Sequence, residues 1–448
     1  MKDDLYKKME QLFPVIEHRY QEIGPLELTI YQLARGNAFN PRVLGLEAIK
    51  RFRDKNPNCA ITFKPNHLSE VDFLLLSLLF RENHMRVLTE GGANLFIDHI
   101  DVLKDLVPLF VNPAFQESMT DARLSLSEYL ATRGAFKVFR ESGNRTLADG
   151  TEVGIGKKDI LTLSRAYRNH LVSNQEMYVT FPGYSSVKSG FMDLIKKDTI
   201  KTGRSYTGKF DGFHHLPFQM DIEASMDTGV PLYVVDVNIA YSPVLEDENF
   251  LELIKLQESG TSKNKIYLKD LGYILRSFCR DRRTGEMSIK FGEPVKIDTS
   301  GLKDPLKGRK VKRLAQGLAQ ETFENVMAMQ PICPANIYFS AFEKGFERMP
   351  VHRMLETIDD IRDHLRHLVW EKGARPLDLL YVLDYRNHIY SADEIINRTF
   401  DMFNTPQKRI TAVDGDMFVV YNKHVAMQYR NHIAHFLENM RREKTKKK

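Results

Sequence analysis

The chain has 448 residues, of which 42% are hydrophobic and 27% are charged, which is typical of a globular protein and argues against a fibrous or disordered one. Its formal net charge of +5 fits an anionic membrane surface or a phosphorylated substrate, but is too small to indicate a nucleic-acid partner. The three cysteines, Cys59, Cys279 and Cys333, are odd in number and far apart, so neither a disulfide framework nor a cysteine-based metal site is expected.

The first residues, MKDDLYKKMEQ, contain no apolar signal region, and no run of about 18 apolar residues occurs in the chain. We therefore expect no signal peptide and no transmembrane helix. Few and scattered cysteines are typical of a reducing compartment. Together these features predict a cytoplasmic protein that contacts a membrane only peripherally, on its cytoplasmic face.

Residues 1–55 are predicted to be a helical N-terminal segment. Apolar residues recur there at spacings of three and four, which gives one apolar face. That face would pack on the next domain or, as an alternative, lie on a membrane surface. The residues that define it are Leu5, Met9, Leu12, Ile16, Tyr20 and Ile23.

Residues 56–300 are predicted to be an α/β domain, because short β-prone runs alternate with helical stretches. Such alternation favours a mixed, mostly parallel sheet flanked by helices. The predicted strands are 60–63, 86–88, 135–139, 178–181, 232–239 and 287–291, and the predicted helices are 69–80, 118–131, 158–173 and 215–228.

Residues 301–448 are predicted to be a mainly helical C-terminal domain, with its clearest helices at 309–329 and 354–367. Asp414-Gly415 lies between two β-prone runs and predicts a hairpin. The stretch RREKTKKK, residues 441–448, is either a solvated end or a segment attracted to anionic lipid.

His67 and Asp72 lie where a predicted strand gives way to a predicted helix, in the stretch CAITFKPNHLSEVDFLLL. On one helix, positions five apart would be rotated about 140° from each other. The two side chains can therefore meet only if His67 lies in the turn and Asp72 in the first helical turn. A histidine held by a carboxylate can act as a general base.

A purely structural reading of the same residues also exists. Ser69-x-x-Asp72 has the form of a capping box, and an aspartate is favourable at any helix N-terminus. The spacing alone is a weak signal, because the chain repeats it at His388 and Asp393. At that second place no strand or basic segment follows, and Ser391 is predicted to be a plain N-cap.

Further segments follow the His67 stretch in a fixed order. They are EGGANLF (90–96), GAFKVFRE (134–141), YVTFPG (178–183) with GRSYTGKF (203–210), VPLYVVDVNIAY (230–241), FGEP (291–294) and QYRNHIAHFLE (428–438). In this order they resemble the sequence blocks of the glycerol-3-phosphate acyltransferase family, within the glycerolipid acyltransferases that carry a His-x4-Asp motif. The resemblance covers most of the chain from about residue 55 onward, and it implies the glycerolipid acyltransferase fold.

The third block departs from the family pattern, since Gly183 stands where the family has a glutamate and Tyr206 where a second arginine is usual. Either an insertion splits the block, with Arg204 and Lys209 in its second half, or FPGYSSVKSG is the whole block and Lys188 replaces the family arginine. The identity of the phosphate-binding residues depends on this choice.

The resemblance implies transfer of a fatty acyl group from acyl-CoA or acyl carrier protein to the sn-1 hydroxyl of glycerol 3-phosphate, the first step of phospholipid synthesis. His67 would be the general base and Asp72 its partner, and the amides around Gly183 would either bind the oxyanion or only form a turn. Basic side chains suit a phosphate dianion. The candidates are Arg140, Arg204, Lys209, Lys137 and Lys188.

The adjacent His214 and His215 have no carboxylate or cysteine cluster at ligand spacing, so we expect no metal, and no cofactor besides the acyl donor. Two other functions remain open at this point. One is a related acyltransferase that uses lysophosphatidate, dihydroxyacetone phosphate or another lysolipid. The other is a catalytically silent lipid-binding homologue.

Overall fold

A computed structural model describes residues 39–69, 72–92, 134–138, 143–146, 152–187, 200–202, 210–242, 285–302, 307–342, 348–370, 390–404 and 410–438, with a few positions between 249 and 269. Side chains are described for most of these residues. The predicted helix at 118–131 lies outside the described residues.

The first part of the chain alternates strands and helices. In chain order these are β1 (Phe39–Leu44), α1 (Leu46–Lys55), β2 (Ala60–Pro65), α2 (Asp72–Glu82), β3 (Val87–Gly92), β4 (Ala135–Val138), β5 (Gly143–Thr146), β6 (Glu152–Ile155), α3 (Lys157–Ser173), β7 (Met177–Val179), β8 (Gly183–Val187), β9 (Ile200–Thr202), β10 (Gly212–Phe213), α4 (His215–Thr228), β11 (Leu232–Ser242), β12 (Gly285–Phe291) and β13 (Val295–Lys296).

The second part is mainly helical. After a short 3-10 helix (Ser300–Leu302) it contains α5 (Lys307–Ala328), α6 (Pro334–Ala341), β14 (Arg348–Pro350), α7 (Val351–Trp370), α8 (Ala392–Phe403), β15 (Thr411–Asp414), β16 (Met417–Val420) and α9 (Lys423–His432). The hairpin predicted around Asp414-Gly415 is present as β15 and β16.

Within the described residues, an eight-stranded sheet has the order β1-β12-β11-β2-β7-β3-β4, with β13 paired to β11. The pairs from β11 to β4 are parallel, β1 is parallel to β12, and β12 and β13 run antiparallel to β11. The predicted α/β class with a mixed, mostly parallel sheet flanked by helices is therefore confirmed.

Two cores cover the two faces of this sheet. Along β2, Ile61 and Phe63 join a core with residues of α1 and α2, whereas Ala60 joins a core with residues of α3, α4 and α5. Strand side chains alternate between faces, so a strand covered on both sides is apolar throughout. This is why β2 is a continuous buried run.

A third core belongs to the C-terminal part of the chain. Helix α6 is buried along its whole length and packs with α7, α8 and α9 and with the small sheet β14-β16-β15. Tyr338 lies at its centre, where its ring contacts those of Phe339, Phe342, Phe400 and Phe418.

Two predicted boundaries need correction. Residues 39–44, expected within a helical segment, form strand β1 at the edge of the main sheet, and an edge strand is where Pro41 is tolerated. Helix α5, expected in the C-terminal domain, buries Val311, Ala315 and Ala319 against the main sheet's core instead. The separate C-terminal core begins near Ile332.

Within the described ranges, no helix combines the length and the apolar character that crossing a membrane requires.

Candidate functional site

Asn66 fixes the turn that follows β2. Its amide Nδ2 donates to the carbonyl of Ile239 at 2.8 Å, and the Ile239 N–H donates to Asn66 Oδ1 at 2.7 Å. The Asn66 N–H itself donates to the carbonyl of Val237 at 3.3 Å. The side chain thus continues the ladder between β2 and β11 beyond Pro65. The chain that follows starts from a defined position at the carboxyl edge of the sheet.

His67 and Asp72 meet at this edge. Nδ1 of His67 lies 2.9 Å from Oδ2 of Asp72, and the same oxygen accepts the backbone N–H groups of Leu68 at 2.7 Å and Ser69 at 3.0 Å. The other oxygen, Oδ1, accepts the hydroxyl of Tyr241 at 2.5 Å. Asp72 is fully buried and is the first residue of α2, as its predicted role required.

This geometry defines the chemistry available to His67. The carboxylate accepts from Nδ1–H, so Nε2 carries the lone pair. No described residue hydrogen bonds to Nε2, and the side chain keeps 17% of its surface exposed. The ring packs against Phe181, two residues after the end of β7, with centroids 4.8 Å apart. Nε2 can therefore take a proton from a group that is held within hydrogen-bond distance of it.

A network of buried charges includes Lys64, the next-to-last residue of β2. Lys64 Nζ is 2.6 Å from Asp221 Oδ2, and Arg168 Nε is 3.2 Å from Asp221 Oδ1. Arg168 also pairs with Glu90 at 3.1 Å, and Tyr178 donates its hydroxyl to Asp221 at 2.8 Å. The two cations and two carboxylates balance, which makes burial of these charges tolerable.

Burial changes the proton affinities within this network. It lowers the pKa of the Lys64 ammonium, an effect that neighbouring Asp221 opposes. Burial and the Asp221 carboxylate together raise the pKa of Tyr178 well above its usual value of 10.0. Tyr178 therefore remains a protonated hydrogen-bond donor, and it ties β7 to α4 beneath the site.

Most of the predicted phosphate ligands lie outside the described residues: Arg140, Lys188, Arg204 and Lys209. For Lys137 the backbone alone is described, in β4, where it pairs with Gly91 of β3. Their convergence on His67 stays a prediction.

Gly183 is buried at the start of β8, where it pairs with Phe213 of β10. Its φ is not positive, so its backbone conformation does not by itself require a glycine. An added Cβ would lie 3.4 Å from the ring of Phe210, which is ordinary contact. Strand β8 begins two residues after Phe181, which packs against His67, but the predicted oxyanion role of Gly183 stays a prediction.

Asp393 of the second His-x4-Asp pair lies in the first turn of α8, a helix with its own cap. Ser391 is the N-cap of α8, where the Glu394 N–H donates to its hydroxyl at 3.2 Å and its own N–H donates to the Glu394 carboxylate at 2.6 Å. The predicted N-cap is confirmed, while His388 itself lies outside the described residues.

Sequence reasoning missed Asn66, Tyr241 and Phe181 as parts of the site. Tyr241 is 169 positions from Asp72 and reaches it only because β11 lies beside β2. A signal was present, since a tyrosine, whose hydroxyl usually needs a partner when buried, lies near the end of a β-prone run. The partner of that hydroxyl, however, depends on strand order.

His214 is the N-cap of α4 and His215 is the first residue of that helix. The exposed His214 stacks on Tyr184, with ring centroids 4.4 Å apart. Among the described residues, no group of three or more histidine, cysteine, aspartate or glutamate side chains is arranged to hold a metal ion.

Neither a scan against models of known protein families nor a search of curated proteins finds a match to this chain.

Proposed function

We propose that this chain is an O-acyltransferase that moves a fatty acyl group from acyl-CoA or acyl carrier protein to the sn-1 hydroxyl of glycerol 3-phosphate. The observation that carries the proposal is the His67–Asp72 pair, joined at 2.9 Å, in which Nε2 has no hydrogen-bond partner among the described residues and the His67 side chain keeps 17% of its surface exposed. A capping aspartate needs only the N–H contacts of Leu68 and Ser69. The added histidine contact is what a general base requires.

The reaction begins with the acceptor alcohol, which is a poor nucleophile at neutral pH. Nε2 of His67 takes the hydroxyl proton while the alcohol oxygen attacks the thioester carbonyl carbon. The Asp72 carboxylate stabilises the resulting imidazolium. As the tetrahedral intermediate collapses, the carbon–sulfur bond breaks and the imidazolium returns the proton to the leaving thiolate. Proton and electron pairs balance without a metal or redox cofactor.

Recognition of the acceptor phosphate rests on the sequence resemblance. In the sequence, Arg140 is two residues past the end of β4, a strand that pairs in parallel with β3 in the same sheet as β2. The carboxyl ends of parallel strands share one edge, which supports an approach to His67 from that side. Lys137, Lys188, Arg204 and Lys209 remain the other candidates.

The test is transfer of labelled acyl groups by purified protein. Wild type and His67→Ala would each be given acyl-CoA or acyl carrier protein with glycerol 3-phosphate, dihydroxyacetone phosphate or lysophosphatidate. We expect lysophosphatidate as the product from glycerol 3-phosphate. Loss of the general base in His67→Ala should lower the rate by at least about 100-fold.

The matched control is His388→Ala, which removes the histidine of the second His-x4-Asp pair and should leave transfer unchanged. No transfer by wild type to any acceptor would overturn the enzyme proposal and favour a silent lipid-binding protein. Transfer only to another acceptor would overturn the assignment of glycerol 3-phosphate. Equal rates in wild type and His67→Ala would overturn the role of His67.

A further inference from the structure

Asp72 is held from two strands, because its two carboxylate oxygens have different partners. Oδ2 is engaged by His67 and by two backbone N–H groups of its own loop. Oδ1 accepts the hydroxyl of Tyr241, which is 2% exposed and is the next-to-last residue of β11. Local sequence around Asp72 supplies every contact except this one.

We propose that Tyr241 is a positioning residue of the transfer reaction, whose hydroxyl fixes the orientation and the charge distribution of Asp72 and through it the basicity of His67. This inference rests on the proposed function. Tyr241 would act on His67 only through the Asp72 carboxylate, which hydrogen bonds to both residues.

The first effect is geometric. A carboxylate held at one oxygen can still rotate about its Cβ–Cγ bond, whereas contacts at both oxygens fix its plane. The donor to Oδ1 comes from β11, which is itself tied to the turn by the Asn66 contacts with Val237 and Ile239. Strand and turn therefore form one unit that presents Oδ2 to Nδ1 of His67.

The second effect is electrostatic. A hydroxyl donated to a buried carboxylate withdraws part of its negative charge from Oδ2, which weakens the attraction for the His67 imidazolium. Among the described residues, no other charged side chain lies within ion-pair distance of His67 or Asp72, and Phe181, from the segment after β7, packs against the imidazole ring. The buried charges of Lys64, Asp221, Arg168 and Glu90 pair with one another.

The experiment compares wild type with Tyr241→Phe, which removes the hydroxyl and keeps the ring. The readout that needs no substrate is proton NMR of His67: its titration midpoint and the downfield Nδ1–H resonance. We expect the midpoint to move to higher pH and the Nδ1–H signal to broaden. With an active enzyme, kcat should fall about 10- to 100-fold, the loss expected for one hydrogen bond to a charged group, while KM changes little.

The matched control is Tyr338→Phe, which removes a buried tyrosine hydroxyl bonded to Thr411 at 2.5 Å in the C-terminal core. It should lower stability without moving the His67 signals. If Tyr241→Phe does not fold, 3,5-difluorotyrosine at position 241 replaces it. Its more acidic hydroxyl is a stronger donor and should move the His67 midpoint to lower pH.

Unchanged His67 signals in folded Tyr241→Phe, or an unshifted midpoint with the fluorinated residue, would overturn the inference and leave Tyr241 as a core residue. Shifted signals in a protein that transfers no acyl group would overturn the proposed function and leave the Tyr241–Asp72–His67 coupling standing. The two failures are therefore distinguishable.

Discussion

At the residue scale, Asp72 is the group on which the candidate site depends. It is fully buried, yet its oxygens accept from His67, from two backbone N–H groups and from Tyr241. A buried carboxylate is tolerated only with such partners. The residue therefore contributes to the local fold and to the orientation of the imidazole at once.

Asp72→Asn keeps the shape of this residue but removes its charge and turns one acceptor into a donor. At least one of its four donors must then face an NH2 group. We expect acyl transfer to fall by about 1,000-fold or more, since the imidazolium loses its partner. Unfolding in urea should show a loss of about 1–3 kcal/mol from the unpaired donors.

Asp393→Asn is the control, because Asp393 occupies the first turn of α8 in the other His-x4-Asp pair and is exposed. It should leave transfer unaffected. An Asp72→Asn protein that is folded and transfers at the wild-type rate would contradict a role for the carboxylate in the reaction.

At the element scale, β11 connects the pieces of the site. It pairs in parallel with β2, its Val237 and Ile239 backbones hold Asn66, and its end supplies Tyr241.

Helix α9 contains a buried histidine whose charged form is unfavourable in the folded protein. Its last residue, His432, is 3% exposed, and burial together with the nearby His435 lowers its pKa to about 4, from the usual 6.5.

Because the folded state favours neutral His432, its contribution to stability is complete above pH 6.5 and is lost as the pH falls toward 4. We expect the free energy of unfolding to drop by about 3 kcal/mol over this range from this group alone. Urea unfolding of wild type and His432→Gln at several pH values measures it.

In His432→Gln the pH dependence between 6.5 and 4 should shrink by that amount, whereas exposed His352→Gln should behave like wild type. Parallel curves for wild type and His432→Gln would show that His432 does not titrate with folding.

At the scale of the whole molecule, the candidate site lies at the carboxyl edge of the main sheet, where β2, β7 and β11 end. The C-terminal core joins the same region, because Asn238 of β11 donates to Gln330 at 3.2 Å and His435 Nε2 lies 3.1 Å from the carbonyl of Met327 at the end of α5. The C-terminal part of the chain, from Gln330 onward, therefore contacts both β11, which supplies Tyr241, and α5.

Residues 441–448, predicted either to be solvated or to be attracted to anionic lipid, contain six basic residues and one acidic residue. Each basic residue near an anionic surface contributes about 1 kcal/mol. Deleting these eight residues should weaken binding to anionic vesicles by at least about tenfold at low salt. Co-sedimentation with anionic and neutral vesicles measures this. Equal binding before and after the deletion would show that the stretch is only solvated.

Local patterns predicted much of this protein. Helix 215–228, the strands in 60–63 and 232–239, the hairpin at Asp414-Gly415 and the Ser391 cap follow from short-range propensity, and each is present. The strand-turn-helix setting of His67 and Asp72 was also local, because both residues belong to one turn.

Strand order and packing decided the rest. The sequence alone could not show that β1 joins the main sheet, that α5 packs on that sheet, or that Lys64 pairs with Asp221. It could not place Tyr241 on Asp72, because contacts across 169 positions arise only once β2 and β11 lie side by side. The sequence determined which residues can act as base and partner, and the tertiary structure decided what holds the partner in place.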